Sequence, residues 1–233
     1  MFSKLNFICV FFMIGLCYGQ SPIKPLNVEK GALIFFDDFE REEMVSKWTV
    51  KEKFSGAFQI KDGVLVGKEL EGAGHGSVAR AHFAFSDVVI EFDLKFKSGK
   101  RLNIVMDDSL CKTVWAGHIS RVAFSRNDFR VQDDKTGSMD LNIRNRRLKH
   151  PEKADDIKSF LKSKMDNAKF KFEDGKWYHV VITKIGDVLE CKIGHTIVQI
   201  KSDGIAHPNL NKFGPTITGG EIHFDNFKIW SIN

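Results

Sequence analysis

Tyrosine, tryptophan, cysteine and proline are all scarce: two Tyr, four Trp, four Cys and five Pro in 233 residues. So few prolines exclude a collagen-like or proline-rich protein, while 42% apolar residues exclude a wholly disordered one. Charge of one sign is lacking too. A net charge of +5, from 35 Lys and Arg against 30 Asp and Glu, is too mild to mark a nucleic-acid binder. Only one long apolar run occurs, Phe7–Leu16, and a membrane span needs about 20 such residues. With Lys4 before it and Cys17-Tyr18-Gly19 after it, the run reads as a signal peptide over residues 1–19. Bulky Leu16 argues against a lipoprotein anchor at Cys17. The expectation is a secreted or periplasmic protein without a membrane span after signal removal.

Export leaves Cys111 and Cys191. They could pair in an oxidising compartment, although a domain of this size needs no staple, and Cys191 reads as a small buried apolar residue. Two cysteines without paired spacing do not make a zinc-thiolate site. Several enzyme signatures are missing: no GxSxG elbow, no Walker loop, no GxGxxG and no HExxH. Gly72–Gly76 is glycine-rich but precedes no helix, so it reads as a loop and not a phosphate cradle.

What is present is a period-two pattern. After a polar linker over 20–32, short strands are expected at 33–36, 58–60 and 64–66, with Asp62-Gly63 as a type I′ hairpin turn. In the stretch 87–97, Val88, Ile90, Phe92, Leu94 and Phe96 share one face, and Glu91, Asp93 and Lys95 the other. Further strands are expected at 102–106, 119–124 and 129–131. A meander over 177–200 turns at Gly186-Asp187 and Gly194-His195, and a last strand covers 221–229. Ile157, Phe160, Leu161 and Met165 instead form a helical stripe within 151–166, amid basic residues from Arg144 onward. Those basic residues suit either a solvated helix face or a patch for polyanions. The expectation is an all-β, two-sheet antiparallel jelly-roll sandwich over 33–233, with one short appended helix.

Chemistry-bearing residues fall into three groups. Glu91 and Asp93 share a strand face, as in laminarinase-like hydrolases, but the slot for a second glutamate holds Phe96, so a double displacement lacks its partner carboxylate. His118 lies near Asp107, Asp108 and Arg121, while His75 and His207 sit in loops that could reach the same rim. Asp133 and Asp134 add a second acidic pair, and Trp115 is the aromatic placed to stack on a sugar. Asp38 in the first strand region and Asp225 in the last are oxygen donors that suit a structural Ca²⁺ if those strands pair; the alternative is that they cap backbone amides at a bulge.

Phe36-Asp37-Asp38-Phe39-Glu40 with Trp48, Gln59–Leu65, Gly175–Tyr178 and Phe224–Trp230 together resemble the 3-keto-disaccharide hydrolase-like family of concanavalin A-like sandwiches. The resemblance implies cleavage of glycosides bearing a C3 ketone, in which a base removes the acidified C2 proton and the aglycone is expelled. It would give His118 the role of base and Arg121 that of charge stabiliser. Asp107 would orient the imidazole, or hold a divalent metal with Asp108, His75 or His207. The other readings are a non-catalytic lectin-like module and a structural or partner-binding envelope protein. The expected partner is an oligosaccharide or glycoside, the expected state a monomer.

Overall fold

The computed structural model describes residues 24–44 and 47–233, so the signal peptide expected over 1–19 lies outside the described residues. Among the described residues fifteen strands form two antiparallel sheets. The eight-stranded sheet contains β1 (Lys30–Asp37), β3 (Phe58–Lys61), β4 (Val64–Gly67), β6 (Val88–Phe96), β11 (Trp177–Ile185), β12 (Val188–Ile193), β13 (Thr196–Lys201) and β15 (Ile222–Ile232). The seven-stranded sheet contains β2 (Thr49–Val50), β5 (Ser77–Phe85), β7 (Gly99–Asp107), β8 (His118–Ser125), β9 (Asp128–Asp133), β10 (Met165–Lys169) and β14 (Leu210–Gly219), in the order β10-β9-β8-β7-β14-β5-β2. This is the expected all-β jelly-roll sandwich.

The alternation read in β6 is the alternation observed. Ile90, Phe92, Leu94 and Phe96 are fully buried, while Glu91, Asp93 and Lys95 are partly exposed on the far side. Phe92 stacks on Phe227 at 4.7 Å and meets Phe124, from the opposite sheet, edge-on at 6.3 Å. Aromatic pairs of this kind add about 0.5–1.5 kcal/mol beyond area burial. A chain rich in Phe and poor in Tyr and Trp builds most of this core from rings without polar atoms, and the buried Trp48 indole donates to Asp37. The Asp62-Gly63 hairpin also forms, with φ of 50° and 69°, the left-handed pair that a type I′ turn requires.

Three expectations needed correction. The single helix over 151–166 is α2 (Ala154–Lys162) after a 3₁₀ turn at Pro151–Lys153, and Met165 belongs to β10, paired with Gln132. A second helix precedes it, α1 (Leu141–Lys149), capped by Asp140, whose side chain accepts from the Asn142 and Ile143 N–H groups. Its composition is so polar that it buries none of its residues, which is why apolar periodicity did not reveal it. Finally, β5 and β14 occupy stretches without an expected strand. Ala79 and Ala81 carry the core face of β5 with little hydrophobicity, and Gly214-Pro215 reads as a breaker inside β14. Cys111 and Cys191 are both free, and burial pushes the Cys191 thiol well up.

Candidate active site

The outer face of the seven-stranded sheet gathers the polar side chains that its inner face excludes. Register fixes who meets whom: Lys212 on β14 lies beside Asp107 on β7, and Asp107 beside His118 on β8. The last pairing depends on a β-bulge. One residue on β7, from Met106 to Asp107, is matched by two on β8, from Ser120 to His118. Ile119 and Ser120 are both fully buried, and His118 is re-aimed to the face of Asp107. The loop leading into β8 is equally constrained. Gly117 has φ +78°, and a Cβ there would meet the Asp108 carbonyl oxygen at 2.4 Å.

Asp107 is fully buried and accepts from His118 Nδ1 at 2.6 Å through Oδ1. Its Oδ2 lies 3.6 Å from Arg80 Nε and 3.5 Å from Lys212 Nζ, with no closer partner. Arg80 is itself buried and donates to the Ala79 and Pro215 carbonyls and to Thr216 Oγ1. Burial holds the Arg80 guanidinium below its ordinary pKa, against the opposing pull of Asp107. The carboxylate thus fixes the Nδ1 side of the imidazole. The ring is partly exposed, and neutral imidazole protonated on Nδ1 keeps its lone pair on Nε2.

Arg121 occupies the next row of the same face, opposite Gln132 of β9 and Val105 of β7. Its Nε donates to Asp134, which also accepts from Gln132 Nε2 at 2.7 Å and Ser138 Oγ at 2.8 Å. Asp134 is therefore a buried clamp for Arg121. Asp133 points the other way. It accepts from the Thr136 N–H and hydroxyl, the Ser202 hydroxyl and the Gly204 N–H, and so ties two loops together instead of facing a ligand.

The rim holds Asp108, which accepts from His207 Nε2 at 2.9 Å, Asn211 Nδ2 at 3.0 Å and the Leu110 N–H at 2.8 Å. Burial raises the Asp108 carboxyl, but these donors outweigh it and hold the group below its ordinary value. Lys135 reaches His207 Nδ1 at 3.1 Å. Trp115 is half exposed, with the Arg144 guanidinium of α1 over its ring at 4.0 Å, so a sugar stacking there would share the indole with a cation.

His118, Asp107, Arg121 and Asp134 therefore share one sheet face, with Asp108 and His207 at its rim. His75 is elsewhere. It packs against Phe54 and Lys53 just before β5, at the end of the sheet where Ser77 meets Ile217 and Ile217 meets Leu102. Asp107 lies five residue steps along β7 from Leu102, roughly 17 Å. Sequence reasoning missed Arg80 and Lys212 because β5 and β14 went unread. The signal for Lys212 is the period-two spacing of Phe213, Pro215 and Ile217 across the apparent breaker.

Glu91 and Asp93 lie on the outer face of the other sheet, and Asp93 is held by His179 and Asn226. No strand of the seven-stranded sheet contains a glutamate. On the eight-stranded sheet β1 pairs with β15, with Asp37 beside Phe227, and β15 places Asp225 beside Asp93. Burial and the negative charges of Asp93, Glu40 and Asp38 hold the Asp225 carboxyl above its ordinary value, so these four acids form one electrostatic neighbourhood. The Asp38 carboxylate accepts from the Glu40 N–H, and that of Asp225 from the Asn226 N–H. Among the described residues no three His, Cys, Asp or Glu side chains converge at metal-ligand spacing. A divalent ion at Asp107 or Asp108 would have to displace the His118 or His207 contact.

The fold is a two-sheet jelly roll shared with endo-glycosidases of known structure. Superposition on an endo-β-galactosidase from Clostridium perfringens that releases GlcNAcα1-4Gal gives a TM-score of 0.59 at 11% identity, over 90% of this chain and 65% of that one. A laminarinase from Flavobacterium sp. UMI-01 gives 0.58 at 11% identity, over 86% and 100% of the two chains. The laminarinase from Rhodothermus marinus gives 0.58 at 10% identity, over 88% and 99%. No protein-family model and no curated protein matches the sequence. At these identities the likeness is one of fold. Among the described residues no helix is long and apolar enough to cross a membrane.

Proposed function

We propose that the outer face of the seven-stranded sheet is a carbohydrate site, and that the protein is a secreted hydrolase or lyase cleaving 3-keto-glycosides. The observation that carries the reading is the His118–Asp107 dyad, 2.6 Å long, with its carboxylate buried and its imidazole partly exposed. His118 Nε2 removes the C2 proton beside the ketone. The C–H electron pair moves into a C2–C3 enolate whose charge rests on the ketone oxygen, and as the ketone re-forms, the C1–C2 double bond is made and the C1–O bond to the aglycone breaks. Lys212 and Arg121 are the cations of this face that stabilise the enolate oxygen. The proton taken by His118 passes to the leaving oxygen, and water adds to the resulting enone. A glutamate pair for double displacement has no place on this face, which separates the reading from a laminarinase mechanism.

A lectin-like module is the second reading, favoured by the partial exposure of Trp115 at the rim. Assaying a 3-keto-disaccharide and its unoxidised parent with wild type, His118→Ala and Asp107→Asn distinguishes the two. The hydrolase reading expects cleavage of the ketone alone and a loss of about 10²-fold or more in His118→Ala. Equal, saturable binding of both sugars without turnover supports the lectin. For Ca²⁺, we propose that an ion bound near Asp38 and Asp225 relieves the acidic crowding there.

A further inference from the structure

Arg121 also belongs to a second cluster on the same face, one that extends beyond the dyad and its rim. Ala123 of β8 is flanked by Arg130 on β9 and Asn103 on β7, with Arg121 two residues along its own strand and Arg101 two residues from Asn103. A small side chain thus has three guanidinium groups around it. Two of them carry buried N–H groups without an acceptor, Arg121 Nη2 and Arg130 Nε. Burying donors and leaving them unmatched is costly, and native proteins keep such groups rare. Burial and the charges of Arg101 and Arg121 also hold the Arg130 guanidinium below its ordinary pKa, with Asp128 and Asp134 offsetting only part of it. The cluster is therefore short of negative charge and of acceptors at the same place.

We infer that the Arg101–Arg121–Arg130 cluster is a subsite for an anionic substituent, a carboxylate or sulfate, on the sugar chain bound by this face. A planar carboxylate or a tetrahedral sulfate supplies two or more acceptor oxygens to guanidinium forks, the geometry in which Arg recognises oxyanions. This names the substrate class as acidic glycans and rests on the carbohydrate reading above. Asp134 is a positioning residue here, because its hold on Arg121 Nε leaves Nη2 as the free donor.

The test is calorimetric titration of the full chain with four oligosaccharides: an oligogalacturonate, its methyl ester, a sulfated galacto-oligosaccharide and its desulfated form. The wild type is expected to prefer at least one acidic form over its neutral counterpart by roughly tenfold or more, with the preference shrinking as salt rises. Which acidic form is preferred separates carboxylate from sulfate. Arg130→Gln and Arg101→Gln should lose the preference. Arg130→Gln should also melt no lower than the wild type, since it removes an unmatched buried charge; a merely structural arginine would give a lower melting temperature. Equal affinity for acidic and neutral forms overturns the subsite and leaves the carbohydrate reading standing. Binding of none of the four overturns the subsite, while the 3-keto-disaccharide assay decides the carbohydrate reading separately.

Discussion

Asp37 and Asp38 are adjacent in sequence, yet their work differs. Asp37 is fully buried and accepts from Arg41, from Trp48 Nε1 at 2.7 Å and from the Phe39 N–H at 3.1 Å. Burial raises its carboxyl, but Arg41, Trp48 and the Phe39 N–H outweigh that and leave it below its ordinary value. Its contribution to stability is therefore full above about pH 4, and is lost as pH falls through the lower folded-state pKa. Asp37→Ala is expected to cost about 3 kcal/mol in urea unfolding at pH 7, because Arg41 and the Trp48 indole lose their acceptor. The penalty should shrink toward pH 2. Asp225 has the opposite sign. Its raised carboxyl makes the ionised form unfavourable in the folded chain, so Asp225→Asn should raise the melting temperature at pH 7 and leave it unchanged at pH 3. If Ca²⁺ occupies that neighbourhood, added Ca²⁺ raises the wild-type melting temperature, EDTA reverses the rise, and Asp225→Asn weakens the response. An unchanged melting temperature with Ca²⁺ removes the ion from the account.

Among elements, α1 and β6 stand at opposite ends of the stability range. β6 pairs with β11 and β15 and buries every second residue, whereas α1 buries none. Hydrogen exchange should find α1 amides opening with little protection and β6 amides only with global unfolding. Asn145→Pro should accordingly lower helical content without lowering the main melting transition. Legibility in the sequence followed the same division. β6 and the Asp62-Gly63 hairpin were readable because local pattern and tertiary environment agree there. β14 was not, because Gly214 and Pro215 break local propensity while Arg80 uses the Pro215 carbonyl, a contact spanning 135 residues. The site was half legible for that reason: His118, Asp107 and Arg121 share short sequence spacing, whereas Arg80 and Lys212 enter only through sheet pairing.

For the whole molecule, the two sheets share one buried cluster, which runs from Phe39 and Trp48 through Phe92, Phe124 and Phe213 to Ile229. Calorimetry should show one cooperative transition, and two resolved transitions would contradict a single core. The sandwich exposes two outer faces of different chemistry. That of the eight-stranded sheet carries the Asp93 and Asp225 acids, and that of the seven-stranded sheet carries Arg80, Arg101, Arg121, Arg130 and Lys212 around one histidine–aspartate dyad. The central claim is that this dyad removes a proton beside a ketone. It is tested most directly by cleaving a 3-keto-glycoside in deuterium oxide and measuring label at C2 of the released sugar at early times. The account predicts one deuterium at C2 in step with aglycone release, with both signals lost in His118→Ala. Aglycone release that leaves the original hydrogen on C2 would contradict it.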